Sequence, residues 1–334
     1  MKQNTIPSEI QKRKLTQDIS CSAIGFGGGS ISGSAGGYGY GDISESQAVA
    51  TLEHAYQSGI TLFDTAPIYG FGDSEKRIGK ALSGQKELRK NIVIVTKLGV
   101  TWDSHKNTFI DNSPDSIHRM LEQSLKDLKT DYIDLYMIHW PDNKTPIEST
   151  METLKKYKDA GVIRAIGASN FGVDLIERAC QIAPIETLQS EFNVFNNTNA
   201  KQLLEICTQR KIGFMAYGSL AKGLLTGKVL PNRKYDLSDV RSKFAFVEKQ
   251  ALALANEAKR FLEIAQELNC SPAELAVTYV LSFPHVSTAL CGSKTPEQIS
   301  SLLHGAKLIL PANVKSELDS MADLCTPIYL NAYA

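Results

Sequence analysis

Four side chains in the first half of the chain have types and positions suited to proton transfer. Asp64 stands at the tip of a short apolar strand, and Tyr69 follows across a Pro-bearing turn in the stretch FDTAPIYGFGDSE. Lys97 closes the β-branched run 92–97, and His139 follows the run 132–138. A free phenol titrates at about 10, too high for efficient proton exchange near neutrality. An ammonium beside it favours the phenolate and lowers that value, while a carboxylate holds the ammonium charged and in place. A histidine can donate a hydrogen bond that orients and polarises a carbonyl oxygen. The set suits a reaction in which an oxygen gains negative charge and then a proton.

Each residue alone has a plainer reading: Asp64 with Lys97 as a structural ion pair, His139 as a satisfied rim histidine, Tyr69 as a packed loop aromatic. The chemical reading requires a fold that gathers the strand ends. Ser44 with Gln47 reads as a capping box opening a helix that ends near Gly59, and the strand 60–63 follows at once. A helix from Ser74 leads to the strand 92–97, and the polar stretch 98–112 reads as a loop. Ser113 and Pro114 open a helix striped by Ile117, Leu121, Leu125 and Leu128. After the strand 132–138, Thr145 and Glu148 read as a second capping box with Pro146 at its first position, and that helix stops at Gly161.

The rhythm continues through strands 162–167, 187–189, 212–216 and 286–290, with helices 173–180, 200–209, 251–268 and 272–281, one from Pro296 and a last one over 312–322. One insertion, 218–249, carries Lys222, Lys228, Arg233, Lys234, Arg241 and Lys243, and loops of that length are usually functional lids or disordered. Near the start, the cluster GFGGGSISGSAGGYGYGD reads as loop. It fails the dinucleotide fingerprint, because Ser30 stands where the third glycine belongs and no helix opens there. Eight strand-then-helix units argue for a (β/α)8 TIM barrel, a single domain over 1–334, with a long loop after the seventh strand and an extra C-terminal helix. In such barrels the chemistry sits at the C-terminal ends of the strands, which is where Asp64, Lys97 and His139 fall.

Composition narrows the partners. The 36 basic and 36 acidic residues cancel without a long run of like charge, so neither nucleic acid nor an anionic membrane surface is indicated. No window reaches the ~18 apolar residues of a membrane span, and the opening MKQNTIPSEIQKRK lacks the apolar core of a secretory signal, so a cytoplasmic protein is expected. The six cysteines are scattered with no histidine at ligand spacing, which reads as free thiols and no metal. A small-molecule ligand and a monomer are the expectations.

The motifs FDTAPIYGFGDSE, VIVTKLG, YIDLYMIHWPD, GVIRAIGASNFG, LQSEFNVFN, AYGSLAKGLLTGK and CGSKTPEQI, in this order, resemble an aldo-keto reductase, most closely the bacterial general-stress and inositol-operon branch. The resemblance implies an NADPH-dependent carbonyl reductase with Asp64, Tyr69, Lys97 and His139 as its tetrad, Tyr69 being the general acid. It implies that Ser169, Asn170 and Gln189 bind the carboxamide of NADP(H), and that Tyr217 stacks on the nicotinamide. Gly218, Ser219, Leu220, Ala221, Lys222 and Gly223, with Lys228 and Arg241, would line the pyrophosphate. Gly292, Ser293 and Lys294 would take the 2′-phosphate at a helix start, and Gln298 the adenosine end. Gly28 and Gly29 would let the first loop approach the cofactor, alongside Asp64.

The sequence departs from the family pattern at several places. Lys294 stands where many relatives have Arg, giving a point charge rather than a fork, and Leu302 replaces an adenine-contacting Asn. Ile68, Tyr69, Trp102, His139 and Trp140 would frame the pocket for a carbonyl substrate. A rival reading is an NADP-binding regulatory subunit of the same fold, like the potassium-channel β-subunits. In those an Asn replaces the catalytic His, so His139 speaks against it.

Overall fold

The computed structural model describes residues 11–229, 233–243 and 245–331. The first part of the polar opening, residues 1–10, lies outside the described residues. Two short antiparallel strands come first, β1 (Lys12–Lys14) and β2 (Ser20–Ser22). Eight parallel strands then close a barrel: β3 (Ile24–Gly27), β4 (Leu62–Asp64), β5 (Val93–Leu98), β8 (Ile133–Ile138), β9 (Ile163–Ser169), β10 (Thr187–Glu191), β11 (Gly213–Tyr217) and β12 (Val286–Cys291). Between β5 and β8 lies a hairpin of β6 (Val100–Trp102) and β7 (Thr108–Ile110).

The helices are α1 (Glu45–Gln57), α2 (Asp73–Ile78), α3 (Lys86–Arg89), α4 (Pro114–Leu128), α5 (Ile147–Asp159), α6 (Val173–Ile182), α7 (Thr198–Arg210), α8 (Ala245–Ala253), α9 (Ala255–Glu267), α10 (Pro272–Leu281), α11 (Pro296–Gly305) and α12 (Ala312–Asn331). Among the described residues no helix is long and apolar enough to cross a membrane.

Two apolar layers hold this arrangement. Inside the barrel, Leu62, Val93, Val95, Leu135, Met137, Ala165, Met215 and Leu290 pack on Leu15, Ile19 and Cys21 of the N-terminal hairpin, which plugs the bottom. A larger layer lies between barrel and helices and includes Phe63, Ile94, Tyr136, Ile166 and Phe214. Strand residues therefore bury both faces, as their unbroken β-branched runs require. Gly25 lies in the barrel wall because a Cβ there would stand 2.7 Å from Leu290 and 2.8 Å from Leu62.

Several local expectations are corrected. The glycine cluster is not all loop: Gly25 and Gly27 belong to β3, and Gly28–Ile31 form a 3-10 turn. Stretch 98–112 folds into the β6–β7 hairpin, and α8 and α9 break at Leu254 where one helix was expected. Helix α12 runs on to Asn331. Ser44 does cap α1 by accepting from the Gln47 N–H, but the Gln47 side chain donates to the Lys294 carbonyl instead of returning to the cap. Thr145 makes no capping box at all. Its hydroxyl donates to the Asp142 carboxylate at 2.7 Å, and Pro146 takes the cap position of α5. By contrast, Ser113 caps α4 with Pro114 behind it, as read from the sequence.

Candidate active site

The C-terminal ends of β4 and β5 bring Asp64 and Lys97 together. Register pairs Asp64 with Val95, so Lys97 projects from the adjacent strand two residues further along. Its ammonium donates to both Asp64 oxygens, at 2.9 and 2.8 Å, and to the Thr65 carbonyl at 2.8 Å. The lysine side chain has no exposed surface and the aspartate only 5%. Burial lowers the lysine's pKa, and Asp64 opposes that shift. Gln189 donates to Asp64 at 2.8 Å, and the same nitrogen lies 3.8 and 3.9 Å from the sulfurs of Met137 and Met215. This amide supports the carboxylate directly, a role in addition to the carboxamide contact expected of it.

Tyr69 lies half-buried above this corner. The Lys97 ammonium is 5.2 Å from the centre of its ring, and the His139 ring meets it edge-on at 6.0 Å. Burial, aided by the charge of Asp64, pushes the phenol well above its ordinary value. The lowering expected from Lys97 is therefore not found. The ammonium is already committed to a carboxylate and a carbonyl, so little net positive charge reaches the phenol. Burial and the nearby Lys97 hold His139 well below its usual pKa. It is thus a neutral imidazole, able to donate through one ring nitrogen.

Beside this corner, the ends of β9, β10 and β11 form a polar shelf. Asn170, in a left-handed conformation with φ 61°, donates to the His139 carbonyl and to Ser169 Oγ, both at 3.0 Å. Its side-chain oxygen accepts from the Tyr217 hydroxyl at 2.9 Å. His139, Ser169, Asn170 and Tyr217 are in this way linked across three strand ends. After β11 the chain passes through Gly218, Ser219 and Leu220 into the 3-10 turn Ala221–Thr226. There Ala221, Lys222 and Gly223 all have positive φ, at 47°, 55° and 100°. Such backbone is costly for Ala and Lys, and strain of this kind gathers at ligand sites.

The aldo/keto reductase family model matches residues 23–323. The chain belongs to that family. It is 37% identical over 288 residues to aldo-keto reductase YhdN of Bacillus subtilis, spanning 85% of each chain. It is 32% identical over 297 residues to an NADH-specific methylglyoxal reductase of Escherichia coli, spanning 85% of this chain and 89% of that one. Among solved structures it resembles the glycerol dehydrogenase AKR11B4 of Gluconobacter oxydans, with a TM-score of 0.82, 31% identity and coverage of 95% and 96%. The chain is thus an oxidoreductase of a family that uses nicotinamide cofactors.

In this aldo-keto reductase the cations expected to face a cofactor are differently placed. Lys222 turns its ammonium to Glu191 at 3.0 Å and to the Tyr329 hydroxyl at 2.5 Å, while Arg241 pairs with Asp239 at 2.6 Å and donates to the Lys222 carbonyl. Lys294 donates to the carbonyls of Tyr40 and Asp42, at 2.8 and 3.0 Å. The side chain of Lys228 is exposed, and among the described residues only its backbone joins the turn. Gln298 accepts from the Lys294 N–H at 2.7 Å, stiffening the approach to α11, and Gly292 is exposed beside it. Ser293 is buried, with a hydroxyl that has no partner among the described residues. Leu302 lies in the core at 3% exposure.

Gly28 sits tight between β4 and α2: a Cβ there would come within 2.8 Å of the Asp64 carbonyl. Gly29 faces the Tyr40 ring. Around Tyr69, Ile68 is buried with Ala66 and Val100, and Trp102 meets Phe71 edge-on at 5.0 Å. Trp140 is 44% exposed and is tied in through its carbonyl, which accepts from Asn112. Phe71, Tyr40, Glu191 and Tyr329 were not expected. Phe71 stands inside FDTAPIYGFGDSE and could have been read there, whereas nothing local marks Glu191 or Tyr329 as neighbours.

Proposed function

We propose that this protein reduces an aldehyde or ketone to the alcohol using NADPH, with Tyr69 as the proton donor. The observation that carries the reading is a half-buried phenol kept protonated beside a neutral imidazole, above a sealed Lys97–Asp64 pair. A substrate alkoxide is far more basic than a phenolate, so a protonated Tyr69 transfers its proton downhill even with a raised pKa. His139 donates to the carbonyl oxygen and fixes it within reach of the Tyr69 hydroxyl. Lys97 and Asp64 keep the phenolate left behind next to a fixed dipole rather than bulk water.

The residues present fit a nicotinamide dinucleotide, which supplies a hydride when bound. The orphaned Ser293 hydroxyl lies just before α11, whose first amides attract an anion. The left-handed run Ala221, Lys222 and Gly223 presents backbone where a pyrophosphate would pass. Ser169, Asn170, Gln189 and Tyr217 hold the reactive ring against the corner. The Lys294 side chain supports NADPH over NADH, although one relative is NADH-specific.

The test follows NADPH oxidation across a panel of aromatic, aliphatic and sugar-derived aldehydes. Tyr69→Phe should lower kcat by about 10²- to 10⁴-fold with cofactor affinity retained. Undiminished turnover in that variant would remove Tyr69 from its role. Tight NADPH binding with no turnover anywhere in the panel would favour a cofactor-sensing protein of the same fold.

A further inference from the structure

The end of helix α12 reaches the turn after β11 through three buried or nearly buried side chains from three distant elements. Tyr329 is fully buried, and its hydroxyl donates to Glu191 Oε1 at 2.5 Å. Lys222 donates to the same oxygen at 3.0 Å and to the Tyr329 hydroxyl at 2.5 Å, with its ammonium 4.8 Å from the centre of the tyrosine ring. Glu191 ends β10, and its other oxygen accepts from Asn196 at 3.3 Å. The Tyr329 carbonyl accepts from Gln250 at 3.0 Å, so the helix end is itself anchored. The lysine and glutamate side chains are only 16% and 12% exposed.

Lys222 is one of the residues in the left-handed run, so the cluster grips that run at its strained centre. Its charge is already matched by Glu191. The side chain is thus better suited to holding its own backbone than to meeting a pyrophosphate. A lysine at φ 55° carries a backbone cost, and its anchored side chain helps to hold the turn in that conformation.

We propose that Tyr329 is a positioning residue for the cofactor: through Glu191 and Lys222 it fixes the turn Ala221–Thr226 and thereby slows departure of the nicotinamide dinucleotide. The proposal rests on the functional reading above, which places the pyrophosphate at this turn. Tyr329→Phe removes one hydroxyl that bonds to two charged groups and leaves the ring packed in place. Bonds to charged groups are worth enough that removing them should speed release by about tenfold.

The experiment is stopped-flow displacement of NADPH, and in parallel NADH, from the full-length protein, followed by nucleotide fluorescence. Tyr329→Phe and Glu191→Gln should each release NADPH about tenfold faster, whereas Leu330→Ala, an exposed change on the same helix end, should not. Hydrogen exchange at residues 221–226 without cofactor should rise in Tyr329→Phe, and hydride transfer in a single turnover from preloaded NADPH should keep its rate. In a Lys222→Met background, Tyr329→Phe should add little, because the two act through one cluster. An unchanged release rate in folded Tyr329→Phe, with wild type binding NADPH normally, overturns this role alone. Failure of wild type to bind either nucleotide overturns the functional reading along with it.

Discussion

Two groups of charged side chains face the same barrel rim and are held by opposite means. Lys97 and Asp64 come from neighbouring strands, and the register of β4 on β5 sets their meeting. Lys222 and Lys294 come from turns and reach partners in α12 and in the glycine-rich loop, while Arg241 pairs with Asp239 two residues away and bonds the Lys222 carbonyl. The first group is carried by the barrel strands themselves, whereas the second is carried by the turns that follow them. The division suits the proposed function, in which the supports of the proton donor stay fixed while the nucleotide enters and leaves. Lys97→Met is the most severe test of it. The change strands Asp64 in the barrel with Gln189 alone to meet it among the described residues, and loss of one partner of a buried pair destabilises by about 3–5 kcal/mol. Urea unfolding should show that loss together with the loss of turnover. A stability within about 1 kcal/mol of wild type would mean that the corner is not part of the framework after all.

The same division governs what can be read without coordinates. Asp64, Lys97 and His139 are legible because eight regular strand–helix units leave a strand-ending residue one place to go. The distance from Asp64 to Lys97 is then fixed by the ladder. The effect of Lys97 on Tyr69 is not legible, since it depends on how fully Asp64 and the Thr65 carbonyl absorb the charge. Lys222 and Lys294 are legible as residues, but their directions are set by Glu191, Tyr329, Tyr40 and Asp42, which lie far off in the chain. Thr145 fails as a cap for a similar reason, since Asp142 competes for its hydroxyl. The hairpin β6–β7 escapes notice because its strands are short and half-exposed, with no unbroken apolar run.

Directly behind the fixed corner lies a second buried carboxyl, and it sharpens the comparison. Glu75 of α2 has no exposed surface; it accepts from the Thr96 hydroxyl at 2.7 Å, one residue before Lys97, while its other oxygen has no partner among the described residues. Burial, only partly offset by the Thr96 bond, pushes its pKa up to about 7 from an ordinary 4.5. A carboxyl whose folded pKa is raised gives stability that is fully present below the unfolded value and is lost as pH rises through the folded one. Between pH 4.5 and 7 this group should therefore cost the fold up to about 3 kcal/mol. Glu75→Gln keeps the Thr96 bond and removes the titration. Unfolding at pH 5 and pH 8 should show the variant gaining on wild type as pH rises. An equal change in both proteins would mean that folding does not raise the Glu75 pKa.

On the movable side the effects should be smaller and should divide by nucleotide. Of the three half-buried cations among the four expected to meet the cofactor, Lys222 and Arg241 are bonded to carboxylates, whereas Lys294 is bonded to two neutral carbonyls among the described residues and feels Asp239 and Asp42 only through space. It is therefore the one whose charge is least spent within the protein, and it stands just after the orphaned Ser293 hydroxyl at the start of α11. A cation in that position distinguishes a ligand carrying a 2′-phosphate from one without. Lys294→Met should weaken NADPH by about fivefold, the size of a partly exposed ion pair, and leave NADH nearly unchanged. The same side chain also ties the glycine-rich loop to α11 through Tyr40 and Asp42, and a loop-tying role would affect both nucleotides alike. Fluorescence titration of the two nucleotides separates these roles. Equal weakening would make Lys294 a loop fastener, and the preference for NADPH would then have to rest on Ser293 and the amides of α11.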